Sequence, residues 1–349
     1  MMVLNTFSPI PELDLLYDKK GQYPFAAENK VDGIQWQKEC RRALGETIGF
    51  LDTPKVEFKP KIFPEVDRGD FTHQRIIIST AKGAEMPFYI LRPKRREQEK
   101  LPVVLAYHGH GPGVKEIIGL DEMGEIRQTP PGYQKDFAVE LCRRGFFVAA
   151  PEIACFGERQ HNYSVLPGQS PPTTCHNAAT YAIMLGKSVL GMRVRDSMRL
   201  LDYITTLPEV DKERIGVMGI SGGGMLALFH ACLDQGIAVT VLSGYFGRFR
   251  HNILNLHHCT CNFVPGLLKI GELDDLVGLL APRPLLVEAG KKDPIFPITS
   301  VRDSIHRTRE VYEVFECDPF ESVILHEFDG IHEISGEKSY DFLVEQLQA

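Results

Sequence analysis

Arg214-Ile215-Gly216-Val217-Met218-Gly219-Ile220-Ser221-Gly222-Gly223 runs from an apolar segment through G-x-S-x-G into Met225-Leu226-Ala227-Leu228-Phe229-His230. The order reads as strand, sharp turn, helix. Glycines at such a turn let neighbouring backbones approach where a Cβ would collide, and a serine held on it carries backbone strain. The turn lifts the Ser221 hydroxyl clear of the strand, with the N–H groups of a helix N-terminus behind it. A pattern so rich in glycine also arises by chance, so its placement among other elements carries the reading.

Outward from this turn, apolar runs alternate with helical patterns. Val103–Tyr107 and Phe146–Ala150 read as buried strands, with a helix over Gln134–Arg144 that stops at Gly145. A helix over Ser188–Leu207 carries Leu190, Val194, Met198 and Leu201 on one face, and Pro208 ends it. Strands follow at Ile237–Ser243, Pro284–Ala289 and Val323–Phe328, and an antiparallel pair, His73–Thr80 with Pro87–Leu91, precedes them around Lys82-Gly83. Strands separated by helices predict an α/β fold, a mostly parallel central sheet with helices on both faces. Residues 1–69 are expected to form an N-terminal helical extension packing on a catalytic domain over residues 70–349. Its clearest helix spans Trp36–Leu51, where Trp36, Cys40, Leu44 and Ile48 recur four apart. That stripe suits cover for the sheet, a pocket rim or a homo-oligomer contact. Glu152 to about His176 is rich in Gly, Pro, Ser and Thr, and a loop of this length reads as a lid or substrate wall.

A serine hydroxyl needs a positioned base to act as a nucleophile, usually a histidine held by a carboxylate. Asp293 stands just beyond Leu285–Gly290, and His332 just beyond Val323–Phe328, both after Ser221 in the chain. Open α/β sheets place their sites at this carboxyl edge of the strands. Asp274 or Asp275 could supply the acid instead but lie farther from a strand end, and His326 alternates within its strand. An oxyanion needs preset donors. The N–H of Gly222 is one candidate. The N–H of His110, in His108-Gly109-His110-Gly111-Pro112-Gly113 after the Val103 strand, is the other.

These residues resemble the α/β-hydrolase superfamily, and more narrowly its dienelactone-hydrolase-like and acetyl-esterase-like branch, over residues 70–349. Besides the turn, the likeness rests on four motifs. They are His108-Gly109-His110-Gly111, Pro208-Glu209-Val210-Asp211 before Arg214-Ile215-Gly216, Ala281-Pro282-Arg283-Pro284, and Gly330-Ile331-His332-Glu333. The His332-Glu333 pair is similar to the cephalosporin C deacetylase and acetyl xylan esterase group, which usually carries glutamine where Gly222 stands. Dienelactone hydrolases proper use a cysteine where Ser221 stands. The resemblance implies a serine acyl hydrolase with Ser221, Asp293 and His332 as triad, and does not imply its substrate. Hydrolysis of a small-molecule ester, with no cofactor, is the expected reaction. A peptidase or amidase of the prolyl-oligopeptidase type, a non-catalytic binding protein of the same fold, and a metal-dependent hydrolase using the His257–Cys261 cluster are the rival expectations.

Composition narrows the partners. The 349 residues are 43% hydrophobic and 24% charged, ordinary globular values, and the formal charge of −7 offers no basic stripe for nucleic acid. No apolar run suits a membrane span and no secretion signal is evident, so with eight scattered cysteines a reducing cytoplasm is expected. His257-His258-Cys259-Thr260-Cys261 has metal-ligand chemistry but a spacing too tight for paired zinc motifs, so no metal is expected. His258 is taken with Glu152, Arg159 and Phe246 as candidate substrate contacts. For Arg159, bracing the loop against Glu152 is the favoured reading over contact with an anionic substrate group.

Overall fold

The computed structural model describes residues 7–18, 21–94, 100–129, 131–161 and 174–348. Nine strands form one sheet: β1 (Lys61–Asp67), β2 (Phe71–Ala81), β3 (Ala84–Pro93), β4 (Leu101–Tyr107), β5 (Phe147–Pro151), β6 (Val210–Ile220), β7 (Val239–Ser243), β8 (Leu285–Gly290) and β9 (Val323–Phe328). Their order is β1-β2-β3-β5-β4-β6-β7-β8-β9. β1 to β3 are antiparallel, β3 pairs antiparallel with β5, and every pairing from β5 to β9 is parallel.

Alternation along β4 shows why the sheet is central. Val103, Leu105 and Tyr107 enter one hydrophobic cluster, while Val104 and Ala106 enter a second on the other face. The helices Val189–Ile204 and Gly222–Leu233 send Val194, Leu200, Leu226 and Phe229 into the first cluster. Phe137–Arg143 and Ser339–Leu347 send Phe137, Leu141, Phe342 and Leu343 into the second. Both faces are dry, as a parallel sheet requires.

The N-terminal stripe covers the core. In the helix Lys30–Ile48, Cys40, Leu44 and Ile48 are fully buried. Gln37 Nε2 donates to the carbonyls of Gly278 (2.9 Å) and Ala281 (2.7 Å), tying this helix to the segment before β8. β1 extends the sheet into a region expected to be helical. All seven of its residues are exposed, and its register with β2 shifts between Ile62 and Glu65, where Pro64 lacks an N–H. An exposed edge strand interrupted by proline offers no continuous apolar run for a sequence reading to detect. Residues 162–173 of the expected lid lie outside the described residues.

Candidate active site

β6 delivers Ser221 at its carboxyl end, one residue before the helix Gly222–Leu233. Ser221 adopts φ 55° and ψ −120°, a conformation that L-residues avoid. The glycines make this possible: a Cβ on Gly219 would strike the Gly223 carbonyl, and one on Gly223 would strike the carbonyls of Tyr107 and His108. Ser221 N–H donates to Ser243 O at 2.9 Å, fixing the turn against the end of β7.

Asp293 and His332 meet because β8 and β9 run parallel in register, Gly290 opposite Phe328. Beyond the strands, the N–H groups of Lys291 and Lys292 donate to Phe328 O and Gly330 O, each at 2.9 Å, so the two following loops stay paired. His332 Nδ1 then lies 2.7 Å from Asp293 Oδ2. The other oxygen, Oδ1, accepts from the N–H groups of Ile295 (2.8 Å) and Phe296 (3.1 Å). The carboxylate is therefore held on both sides. The His332 ring stacks between Tyr133 (5.8 Å between centroids) and Phe296 (5.9 Å). A Cβ on Gly244 would come within 2.9 Å of His332 Cε1, so His332 abuts the residue after Ser243, to which Ser221 is bonded. Asp274 instead pairs with Arg248 at 2.9 Å, Asp275 accepts the Phe25 N–H at 3.0 Å, and His326 sits near Glu288 and Glu337.

The glycine-rich segment after β4 is clamped by side chains. Gln134 Oε1 accepts the Gly109 N–H at 2.7 Å, while Gln134 Nε2 donates to Glu116 Oε2 at 2.5 Å. Burial raises the Glu116 carboxyl above its ordinary value, a shift that the Gln134 hydrogen bond opposes. Tyr133 donates its hydroxyl to His110 O at 2.6 Å. Among the described residues, the N–H groups of His110 and Gly222 reach no protein acceptor. The His110 ring lies over the turn, 2.8 Å from where a Cβ on Gly222 would stand.

A scan of the chain against family models matches the Abhydrolase family over residues 12–323. The chain belongs to the Abhydrolase family. This family member is 31% identical over 224 residues to YtaP of Bacillus subtilis (strain 168), a hydrolase by designation, covering 62% of this chain and 68% of YtaP. Among solved structures, a protein of Bacteroides fragilis NCTC 9343 designated an acetyl xylan esterase superposes with a TM-score of 0.75 at 17% identity, over 94% of this chain and 86% of that one. Glucuronoyl esterase from Solibacter usitatus gives 0.65 at 16% identity, over 89% and 92%. At these identities the likeness is one of fold, an α/β-hydrolase.

The Abhydrolase scaffold gives three expected substrate contacts structural duties instead. The Glu152 carboxylate is 1% exposed and accepts the Val114 N–H at 3.0 Å, bracing the loop after β4 against β5. Arg159 pairs with Asp196 at 2.6 Å and donates to the Glu152 carbonyl, not its carboxylate, at 3.1 Å. Phe246 is 1% exposed and packs in the core. A Glu-Arg pair near a strand end reads the same whether it faces a ligand or a neighbouring loop, so sequence could not separate these roles. His258 does reach the site: its ring lies edge-on to Phe296 at 6.4 Å. Burial, and then the neighbouring His110, His332 and His257, lower its pKa from the ordinary histidine value. Sequence reading missed Gln134 and Tyr133, whose signal is only proximity to a helix start.

Proposed function

We propose that this chain is a serine-dependent carboxylic ester hydrolase acting on small or acetyl esters, including those of carbohydrates. The hydrogen bond between Asp293 and His332 beside the strained Ser221 carries the reading. Ser221 Oγ attacks the ester carbonyl carbon while His332 Nε2 accepts the hydroxyl proton, its tautomer fixed by Asp293 at Nδ1. The carbonyl oxygen becomes an oxyanion between the uncommitted N–H groups of Gly222 and His110. Collapse breaks the bond to the leaving alcohol, which takes the proton from His332. Water, deprotonated by His332, then hydrolyses the acyl-enzyme and restores Ser221. The acetyl xylan esterase designation of one structural neighbour supports acetylated sugars as the substrates to try first.

No described helix is long and apolar enough to cross a membrane. All eight cysteines are free of disulfides, which supports residence in a reducing cytoplasm. The test is a chain-length series of p-nitrophenyl esters beside acetylated sugars, on wild type and Ser221→Ala. Short-chain turnover lost in the variant is expected. Amide hydrolysis with little ester turnover would favour a peptidase, and no turnover at all a binding protein.

A further inference from the structure

Segments far apart in sequence converge beside the His110 loop. Cys175 stands in the first turn of the helix Thr174–Met184, and Cys259 and Cys261 flank Thr260 in the long segment after β7. The ligand-competent atoms of His110, Cys175, Cys259 and Cys261 all lie within 4.8 Å of one another. Cys261 Sγ is 3.3 Å from Cys259 Sγ and 3.4 Å from His110 Nε2. Zinc bonds of about 2.3 Å to sulfur and about 2.0 Å to nitrogen set tetrahedral ligand atoms about 3.5–3.8 Å apart. Small side-chain adjustments would close this set on an ion.

Charge supplies a second, independent observation. Arg193 is 2% exposed, and its guanidinium donates to Cys175 Sγ at 3.3 Å and to Ala154 O at 3.0 Å. It lies over the Phe156 ring at 5.1 Å, and the same ring meets His110 edge-on at 5.1 Å. Among the described residues Arg193 forms no ion pair with a carboxylate, although a buried cation without an anion is costly. A divalent ion with three thiolates and one neutral imidazole carries a net charge of −1. Arg193 is the buried counter-charge that such a centre needs.

We propose that His110, Cys175, Cys259 and Cys261 bind one zinc ion in a closed, structural site. On binding, the three thiols release their protons and His110 coordinates through Nε2. Four protein ligands leave no open position for a reacting water, so the ion is architectural. It ties the loop after β4 to the segment around Cys259 and to the helix holding Cys175. On the reading in Proposed function, it also fixes the loop that carries one oxyanion donor. Zinc binding itself does not depend on that reading.

The test is elemental analysis of the full chain purified without chelator, with cobalt exchange as a second measurement. One zinc per chain is expected, lost in Cys259→Ser/Cys261→Ser but kept in Ser221→Ala. Cobalt-exchanged wild type should show thiolate-to-cobalt charge transfer and tetrahedral d–d bands, a readout that needs no variant. The proposal is overturned if wild type binds neither zinc nor cobalt when both are supplied. It is equally overturned by a native disulfide among Cys175, Cys259 and Cys261, or by zinc retained after those cysteines are replaced. Wild type that binds zinc but hydrolyses no ester would count against the catalytic reading alone.

Discussion

Asp293 uses one carboxylate oxygen to hold His332 Nδ1 at 2.7 Å and the other to accept two backbone N–H groups. That division of labour separates orientation of the imidazole from anchorage of the loop. Asp293→Asn leaves an amide oxygen able to accept from Ile295 and Phe296, while its NH₂ group faces Nδ1 and favours the wrong tautomer. The expected result is a fall in kcat of roughly 10³–10⁴-fold with a wild-type circular dichroism spectrum and melting temperature within a few degrees.

On the proposed mechanism Gln134 positions the loop that carries an oxyanion donor, since its side chain bridges the Gly109 N–H and the Glu116 carboxylate. Gln134→Ala should lower kcat about 10- to 100-fold while leaving KM for a p-nitrophenyl ester within about threefold, because the donors act chiefly on the transition state. Gln134→Glu keeps one acceptor for Gly109 but sets two carboxylates together, so it should rescue less at neutral pH than at mildly acidic pH. Steady-state kinetics of both variants at two pH values decides this. Equal loss at both would make the role purely one of packing.

Gly223 has no room for a side chain, because a Cβ there meets the carbonyls of Tyr107 and His108. Backbone cannot give way as a flexible side chain can. Gly223→Ala should therefore destabilise the fold by about 3 kcal/mol or more, read as a lower urea midpoint. Gly83→Ala offers a contrast. Nothing lies within 4 Å of its Cβ, but its φ of +76° still strains an alanine, so a smaller loss is expected.

His73 gives the stability a pH dependence of known sign. Burial, and then the nearby Arg68, lower its pKa from the ordinary value of 6.5, and its Nδ1 lies 3.2 Å from an Arg68 nitrogen. Between the folded value and 6.5 the unfolded chain binds more protons, so stability falls as pH drops through that window and levels off below it. The melting temperature of wild type should fall more between pH 7.5 and 5.5 than that of His73→Gln. An equal fall in both would remove His73 from the account.

The strands from β4 onward, and the positions of Asp293 and His332 past β8 and β9, were legible because buried parallel strands read as continuous apolar runs and the chemistry sits at their ends. β1 was not legible, since an exposed edge containing Pro64 carries no such run. Neither was the destination of Glu152, Arg159 or Phe246, because side-chain partners are set by tertiary packing. The His/Cys cluster shows the same limit from the other side. The pair Cys259 and Cys261 looked too closely spaced for a metal centre, whereas His110 and Cys175 complete the set from other parts of the chain.

The central claim is that Ser221 is the acylated nucleophile. Wild-type protein treated with a fluorophosphonate and digested for mass spectrometry should carry one adduct, on the peptide containing Ser221, with ester turnover abolished in proportion to labelling. An unlabelled Ser221, an adduct on another residue that accounts for the lost turnover, or a Ser221→Ala variant that hydrolyses esters at the wild-type rate would contradict it.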